Sequence, residues 1–534
     1  MQTTPPPSPS QKPSLDPKVE SGLRWSIMCQ TITIPIKTFG AIAYARFLQP
    51  EDLGAFGVAF LVYSGLFLLV QAPIRDAVIY YQEQEEAYAS AAFWLLMGFS
   101  VVAVAFVMIL AGPLSEFYQL PMAAGLTRLI ALLFFLQAIA VVPGALLLKR
   151  FRFARHESLQ AIESLILVTG WIVLSAWGFG AWCLAIAPLI GALFWACATW
   201  AAVDFRPTWS PSREVYGHIL RFSRSIFGSK LNMYFRLNLD NAAVATLGAG
   251  PLGHYNLGEN QSAFAISVVG NLFAQIALPA LAALQNKAEE FKKLYLQLLR
   301  LVATFSTPLQ TGAIIVADLA ITLFFGPQWS DAIPVFRAFL AFRLLDVLLR
   351  MSDSATSAIG RPDIRFKVDL IQLPFFVAGT WFGLRVWGGV MGVAWSLVVV
   401  RLVAGLIYFI ATSHVIGVTI SQTFRALLPS SLAALLMGLI LVAIRRSGLL
   451  SALFSSVNSP IWADLLTLWA LTLAGMISYL TILLALDRKG FKEFLTMAWQ
   501  LTFPEPVRMR LIAICRAYLP DWLVERADQG MRIK

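Results

Sequence analysis

The sequence predicts an all-α polytopic membrane protein, built as two six-helix lobes in a parallel pseudo-two-fold repeat plus two extra C-terminal transmembrane helices. Three observations predict it. The 534 residues are 58% hydrophobic and only 13% charged, with a mean hydropathy of +0.71, whereas a soluble chain carries about 25% charged residues. Apolar stretches of the roughly 20 residues that cross a hydrocarbon core recur along nearly the whole chain, without the alternation of a transmembrane β-strand. A polar stripe in the first of them, Ser26, Gln30, Thr33 and Lys37, returns 199 positions later as Ser225, Ser229, Asn232 and Arg236. Steps of four, three and four residues put each stripe on one face of a helix.

The elements follow in order. Residues 1–20 are Pro/Ser-rich and lack the apolar core and small-residue cleavage site of a signal peptide,; they read as a disordered cytoplasmic tail before an uncleaved first helix. The N-lobe, 21–204, holds spans at about 22–47, 53–81, 89–112, 121–148, 156–177 and 180–203. A cytoplasmic linker, 205–218, leads to the C-lobe, 219–415, with spans at about 219–248, 252–284, 298–325, 332–359, 364–387 and 389–413. Two more spans, about 424–444 and 462–486, fill the segment 416–486. The loops are too short to hold a folded soluble domain. The basic tail 487–534 is partly amphipathic and predicts helices lying on the inner membrane surface,.

Charge placement supports this topology. With the N-terminus inside, 28 of the 41 Lys and Arg fall on cytoplasmic ends and loops, 4 outside and 9 in membrane segments, as the positive-inside rule requires. The clusters Lys149-Arg150-Phe151-Arg152, Lys292-Lys293 and Arg361, Arg365, Lys367 all lie inside. The acidic run from Glu83 to Glu86 is neutral evidence, because acids weigh little in that rule. The net charge of +11 therefore reports orientation and anionic lipid heads. Nucleic acid is excluded as a partner for want of a basic soluble domain. The four cysteines and four histidines are scattered, which speaks against disulfides, zinc and proton relays,. No phosphate-binding Walker motif or HExxH motif occurs, and no cofactor is implied.

The repeat extends beyond the stripes. FLQPEDLGAFGV at the end of span one aligns at the same offset with TLGAGPLGHYNL after span seven, matching Leu48 with Leu247, Leu53 with Leu252, Gly54 with Gly253, Phe56 with Tyr255 and Val58 with Leu257. A shift of six helices keeps both copies in one orientation, so the relating axis runs along the membrane normal.

An ionised side chain at the bilayer centre costs about 2.5–3.5 kcal/mol on insertion scales, so each such residue needs protein or water beside it. Spans one, two, seven and ten carry them. Lys37 and Arg236 occupy equivalent places in the two lobes. Arg75 adjoins Asp76, and span seven adds Lys230 and Asp240. In span ten, Arg343, Asp346, Arg350 and Asp353 line one face. Cations facing a cavity suit a phosphate or pyrophosphate, which Arg holds bidentately. The same residues also make sense as ion pairs pinning helices together, most clearly Arg343–Asp346 and Asp346–Arg350. Arg24 and Arg224 near the inner ends fit snorkelling to lipid phosphates. In span eight, Asn260, Ser267, Asn271 and Gln275 suit either sugar binding or bridging between helices.

The segment ARFLQPEDLGAFGVAFLVYSGLFLLV, with Ala45, Arg46, Leu48, Pro50 and Gly54, resembles the A-R-x-L-x-P-x-x-x-G pattern of bacterial polysaccharide exporters. LNLDNAAVATLGAGPLGHYNLGENQ, with Asp240, Asn241, Gly253, Tyr255 and Asn256, resembles their seventh-to-eighth helix segment, and AIGRPDIRFK after span ten also fits. The resemblance covers roughly 20–490 and is to the oligosaccharide-flippase (Wzx-like) branch of the multidrug/oligosaccharidyl-lipid/polysaccharide exporter superfamily. It implies a MATE-like fold in the bacterial inner membrane with both termini cytoplasmic. It further implies flipping of undecaprenyl-pyrophosphate-linked oligosaccharide by alternating access, for exopolysaccharide, capsule or O-antigen assembly. Membrane lipids, a polysaccharide polymerase and a co-polymerase are the implied partners. Lys37, Arg75, Lys230, Arg236, Arg343 and Arg350 are the expected cationic cavity, and Asp76, Asp240 and Asp346 the candidates for ion coupling. A lipid II flippase and a multidrug exporter of the same fold are the alternatives. A membrane polymerase or ligase fits poorly, because the longest outside loop, about 445–461, has no histidine or carboxylate.

Overall fold

The computed structural model describes residues 17–209, 212–455, 457, 459–488 and 491. Expectations for the N-terminal tail up to residue 16 and for most of 487–534 lie outside these residues, as do the side chains of Arg24, Ser26, Gln30, Ser267, Asn271 and Gln275. All regular structure among the described residues is helical: α1 (Pro17–Ala45), α2 (Pro50–Leu66), α3 (Ala72–Tyr80), α4 (Glu85–Phe117), α5 (Pro121–Lys149), α6 (Phe153–Ala176), α7 (Cys183–Ala202) and α8 (Arg213–Ala245). Then come α9 (Ala249–Ala282), α10 (Ala288–Phe324), α11 (Ala332–Ala358), α12 (Asp363–Phe382), α13 (Gly389–Ile416), α14 (Ile420–Arg446), the short α15 (Leu449–Leu453) and α16 (Pro460–Leu486). Each of the fourteen predicted spans falls on these helices. The chain is a multi-span helical membrane protein.

Nine segments among the described residues are long and apolar enough to cross a membrane on length and composition alone. α8 and α11 are not among them, since Arg224, Lys230, Arg236 and Asp240 interrupt one and Arg337, Arg343, Asp346, Arg350 and Asp353 the other. Helices also outrun the hydropathy signal. α10 starts about ten residues before the predicted span because Phe291, Tyr295, Leu299 and Val302 continue its buried face, while Glu289 and Lys292 pair on the wet side at 2.8 Å.

Two spans contain π turns. Phe67–Gln71 is π-helical between α2 and α3. Pro73 follows at once; a proline removes an amide donor and clashes with the carbonyl four residues back, which a widened turn relieves. Gly383–Gly388 is the second π turn, and Gly388 and Gly389 then take φ of 74° and 68°. That left-handed pair, open to glycine, reverses the chain between α12 and α13 without a loop.

The chain forms two compact units. The first comprises the chain up to Leu257, with Phe324–Ala332 and Leu373–Leu397; the second comprises Gly258–Leu323, Ile333–Gln372 and the chain from Val398. In the first, α1 packs on α6, α4 and α2 on α5, α7 on both α5 and α6, and α2 and α3 on α8. Its core is rich in alanine (Ala77, Ala89, Ala91, Ala92, Ala145), the small-residue packing that lets helices approach closely in lipid. In the second, α14 and α16 pack together and are tied to α10 at several levels. Arg445 Nη1 donates to Asp318 at 2.8 Å, Thr307 to the Ser430 carbonyl at 3.2 Å and Tyr479 to the Thr304 carbonyl at 2.8 Å, and Arg300 pairs with Asp487.

Within the first unit, the residues that carry the family resemblance hold helices together. Pro50 opens α2, and Asp52 accepts from the Gln49 amide and, through its other oxygen, from the Ala181 amide, both at 3.0 Å. Arg46 donates to the Phe324 carbonyl at 2.9 Å, and Trp329 to the Ala45 carbonyl at 2.9 Å. The first turns of α2 and α9 cross in backbone contact. A Cβ on Gly54 would lie 1.8 Å from the Ala249 carbonyl oxygen, and one on Gly253 would lie 1.9 Å from that of Pro50. At the 199-residue offset Gly54 matches Gly253 and Pro50 matches Ala249, so the contact is reciprocal. Gly57 meets its own counterpart Asn256, and Gly250 meets its counterpart Glu51.

Candidate functional site

In the first unit the site grows along the seam where α2, the π turn and α3 run antiparallel to α8. From one end, Ser64 donates to Asn238 at 2.9 Å and Tyr234 to the Leu61 carbonyl at 3.3 Å. The π turn comes next, with buried Gln71 donating to the Phe134 carbonyl at 2.8 Å. Beyond it Asp76 sits between two cations, Arg75 at 3.1 Å on its own helix and Lys230 at 3.3 Å on α8. Arg75 is 44% exposed, Asp76 31% and Lys230 23%. Two positive charges share one carboxylate in a place that small polar species can reach. That leaves a net positive charge, which an anion would stabilise.

The other candidates of this unit are placed differently. Lys37 is exposed on α1 and within electrostatic reach of Glu163 on α6, so α6 supplies the acid that neither stripe contains. Arg236 is half-buried on α8 and has a partner of its own. Asp240 is fully buried, accepting from the Tyr255 hydroxyl at 2.9 Å and the Asn241 amide at 3.0 Å. Tyr255 is equally buried, so this carboxylate anchors α9 to α8. On α8, Arg221, Arg224, Ser225 and Ser229 are exposed.

In the second unit, Asp346 lies 3.9 Å from Arg343 and 3.8 Å from Arg350, both on its own helix. Arg343 also donates to the Ser262 hydroxyl at 3.3 Å and the Glu259 carbonyl at 3.4 Å. Arg401 of α13 meets the Glu259 carboxylate at 3.4 Å. Both arginines stand over the Phe339 ring, with guanidinium carbons 6.0 and 5.4 Å from its centroid, a cation–π arrangement. Asp353 leaves this group and pairs with Arg365, which lies over Tyr408 and also binds Asp369 at 3.1 Å. In the turn Arg361–Lys367, Asp363 takes Arg361 at 3.0 Å and Lys367 at 2.9 Å.

Glu163, Glu259 and Arg401 are absent from the sequence-derived candidates. Each is a charge inside an apolar run, which is a usable signal, but its meaning depends on the helix opposite. The described residues hold no cluster of His, Cys, Asp or Glu that could bind a metal ion.

Residues 43–334, more than half of the chain, match the sequence profile of the family described as "Polysaccharide biosynthesis protein". The chain belongs to that family. Among relatives of this polysaccharide biosynthesis protein are the lipopolysaccharide biosynthesis protein WzxC of Escherichia coli K12, 24% identical over 80% of this chain and 89% of that one, and the teichuronic acid biosynthesis protein TuaB of Bacillus subtilis 168, 24% identical over 82% and 90%. A third is the succinoglycan biosynthesis transport protein ExoT of Rhizobium meliloti, 24% identical over 59% of this chain and 64% of that one. The fold is that of the lipid II flippase MurJ in an inward closed conformation (TM-score 0.70, 14% identity, 87% of this chain and 99% of that one). It is shared more loosely with an inward-facing multidrug MATE transporter (TM-score 0.53, 17% identity, 73% and 98%).

Proposed function

We propose that this protein is a flippase that carries lipid-linked oligosaccharide repeat units across the bacterial inner membrane by alternating access, with both termini cytoplasmic. The single observation that carries this reading is the arrangement around Asp76, where Arg75 and Lys230 share one carboxylate at a half-exposed, intramembrane position. No bond is made or broken. The physical task is to move a charged, hydrated head group past hydrocarbon, and a positive excess inside the bilayer stabilises a pyrophosphate there. Lys37 and Arg236, in the same unit, extend this cationic path, and the carrier is undecaprenyl pyrophosphate. The polymerase and co-polymerase of the same polysaccharide are the natural partners. Membership of a polysaccharide biosynthesis family supports this reading. Of the three carboxylates considered for ion coupling, Asp76 and Asp346 are each about one-third exposed and each lie between two cations, so a proton or sodium ion competes there with the arginines and Lys230.

The test is leaflet exposure of undecaprenyl-linked glycans in cells lacking the protein, and in cells carrying Lys37→Ala with Arg236→Ala or Arg75→Ala with Lys230→Ala. Glycan trapped on the cytoplasmic face in all three supports the function and the path together. Trapping in the deletion alone keeps the function and makes those cations structural. If the deletion traps lipid II instead, or only alters drug resistance, the oligosaccharide reading fails.

A further inference from the structure

At the inner end of the same seam, α3 and α8 carry an aromatic wall that ion pairing does not explain. Tyr80 and Phe222 face each other across the two helices with ring centroids 4.9 Å apart and planes 31° apart. Tyr81 meets Tyr80 edge-on at 5.1 Å and stacks on Tyr88 at 4.3 Å with only 12° between planes. Tyr88 is fixed in turn by a 2.7 Å hydrogen bond between its hydroxyl and His218 Nδ1. Lys149 donates to the Tyr81 carbonyl at 2.5 Å. The inner rings are therefore held rigidly from behind. The front one is open: Tyr80 is 64% exposed, whereas Tyr88 is 8%.

The open ring does not sit on a lipid-type face. Tyr80 lies one turn from Asp76 at i, i+4, so both occupy the face of α3 that reaches Lys230. On α8, Ser225 lies one turn from Phe222 on the same face and is exposed,. A tyrosine that merely marked the membrane interface would need neither a backing stack nor charged neighbours on its own face. A rigid, one-sided ring beside cations suits a pyranose, whose axial C–H groups pack on an aromatic face while its hydroxyls stay wet.

We propose that Tyr80, supported by Phe222, is a sugar-stacking platform that recognises the first pyranose of the glycan while Arg75 and Lys230 hold the pyrophosphate. This deepens, and rests on, the flippase reading above. The experiment compares two probes on the purified full chain in lipid nanodiscs: undecaprenyl pyrophosphate alone, and the same lipid bearing one hexose. Tyr80→Ala should weaken binding of the hexose-bearing probe about three- to tenfold, as expected for loss of one stacking ring, and leave the bare lipid unchanged. Tyr80→Phe and Tyr80→Trp keep a ring and should retain wild-type affinity, which also controls for folding. Trp177→Ala, which removes a 73% exposed aromatic ring elsewhere, should change neither probe. Equal loss for both probes, or no loss for either, overturns the platform. Failure of the wild-type chain to bind either probe overturns the flippase reading and the platform with it.

Discussion

The crossing of α2 and α9 gives the sharpest quantitative expectation. Replacing Gly54 by alanine places a Cβ 1.8 Å from the Ala249 carbonyl oxygen, and replacing Gly253 places one 1.9 Å from that of Pro50. Both obstacles are backbone and cannot rotate away. Ordinary contact begins near 3.4 Å, so the helices must separate by about 1.6 Å, a gap that forfeits much of the dispersion energy of the interface. Overpacking of this kind costs about 1–3 kcal/mol, and these sites belong at the upper end. The better helix propensity of alanine returns about 0.5–1 kcal/mol, leaving each single substitution about 2 kcal/mol destabilising. Because the contacts are reciprocal, one separation relieves both clashes. The double variant should therefore lose little more than either single one, a strongly sub-additive result for residues in mutual contact. The assay is thermal unfolding of the purified protein in detergent, with Gly98→Ala and Gly112→Ala as references, since a Cβ at either site meets nothing within 4 Å. Those references should be neutral or slightly stabilising. The reasoning is refuted if Gly54→Ala matches the references, or if the two single losses simply add.

Two further expectations test how charge is held inside the membrane. Asp76→Asn leaves Arg75 and Lys230 adjacent without their shared carboxylate, so melting temperature should fall and added pyrophosphate should restore it more in this variant than in the wild type; equal responses would mean the two cations do not form an anion site. Tyr255→Phe removes a hydroxyl donor from fully buried Asp240, which costs about 1.5–3 kcal/mol for one lost hydrogen bond to a charged group, and melting should show that loss while glycan flipping in cells continues. Loss of flipping in a variant that still melts normally would move Asp240 from anchor to working site.

The fold was legible because the signals that define it are local. Apolar length marks most of the spans, and even the α12–α13 reversal shows itself as a Gly-Gly pair at 388–389. Legibility ended where a helix left the membrane, as in α10, whose first three turns alternate Glu289 and Lys292 with buried Phe291 and Tyr295. Amphipathic spacing, not hydropathy, carries that part of the helix. The site divides along the same line. Arg75 with Asp76, and Arg343 with Asp346 and Arg350, could be read directly because their partners lie one to four residues away on the same helix. Lys230 with Asp76, Arg401 with Glu259 and Lys37 with Glu163 could not, since each depends on which helices adjoin and how they are rotated.

That distinction bears on function. If intramembrane charges served only to join helices, selection for the lowest energy would favour balanced pairs, or apolar residues in their place, because a buried ion pair seldom gains on the desolvation it suffers. Around Asp240 the arrangement is of that economical kind, sealed and hydrogen-bonded. Around Asp76 it is not: two cations converge on one acid, all three remain partly exposed, and a π turn precedes the helix that carries Arg75 and Asp76. A residual positive charge held open to water within the bilayer is costly as architecture. It becomes favourable once an anionic head group arrives, which is why the seam between α3 and α8, more than the paired positions Lys37 and Arg236 that the repeat first pointed to, is where the transported molecule should be sought.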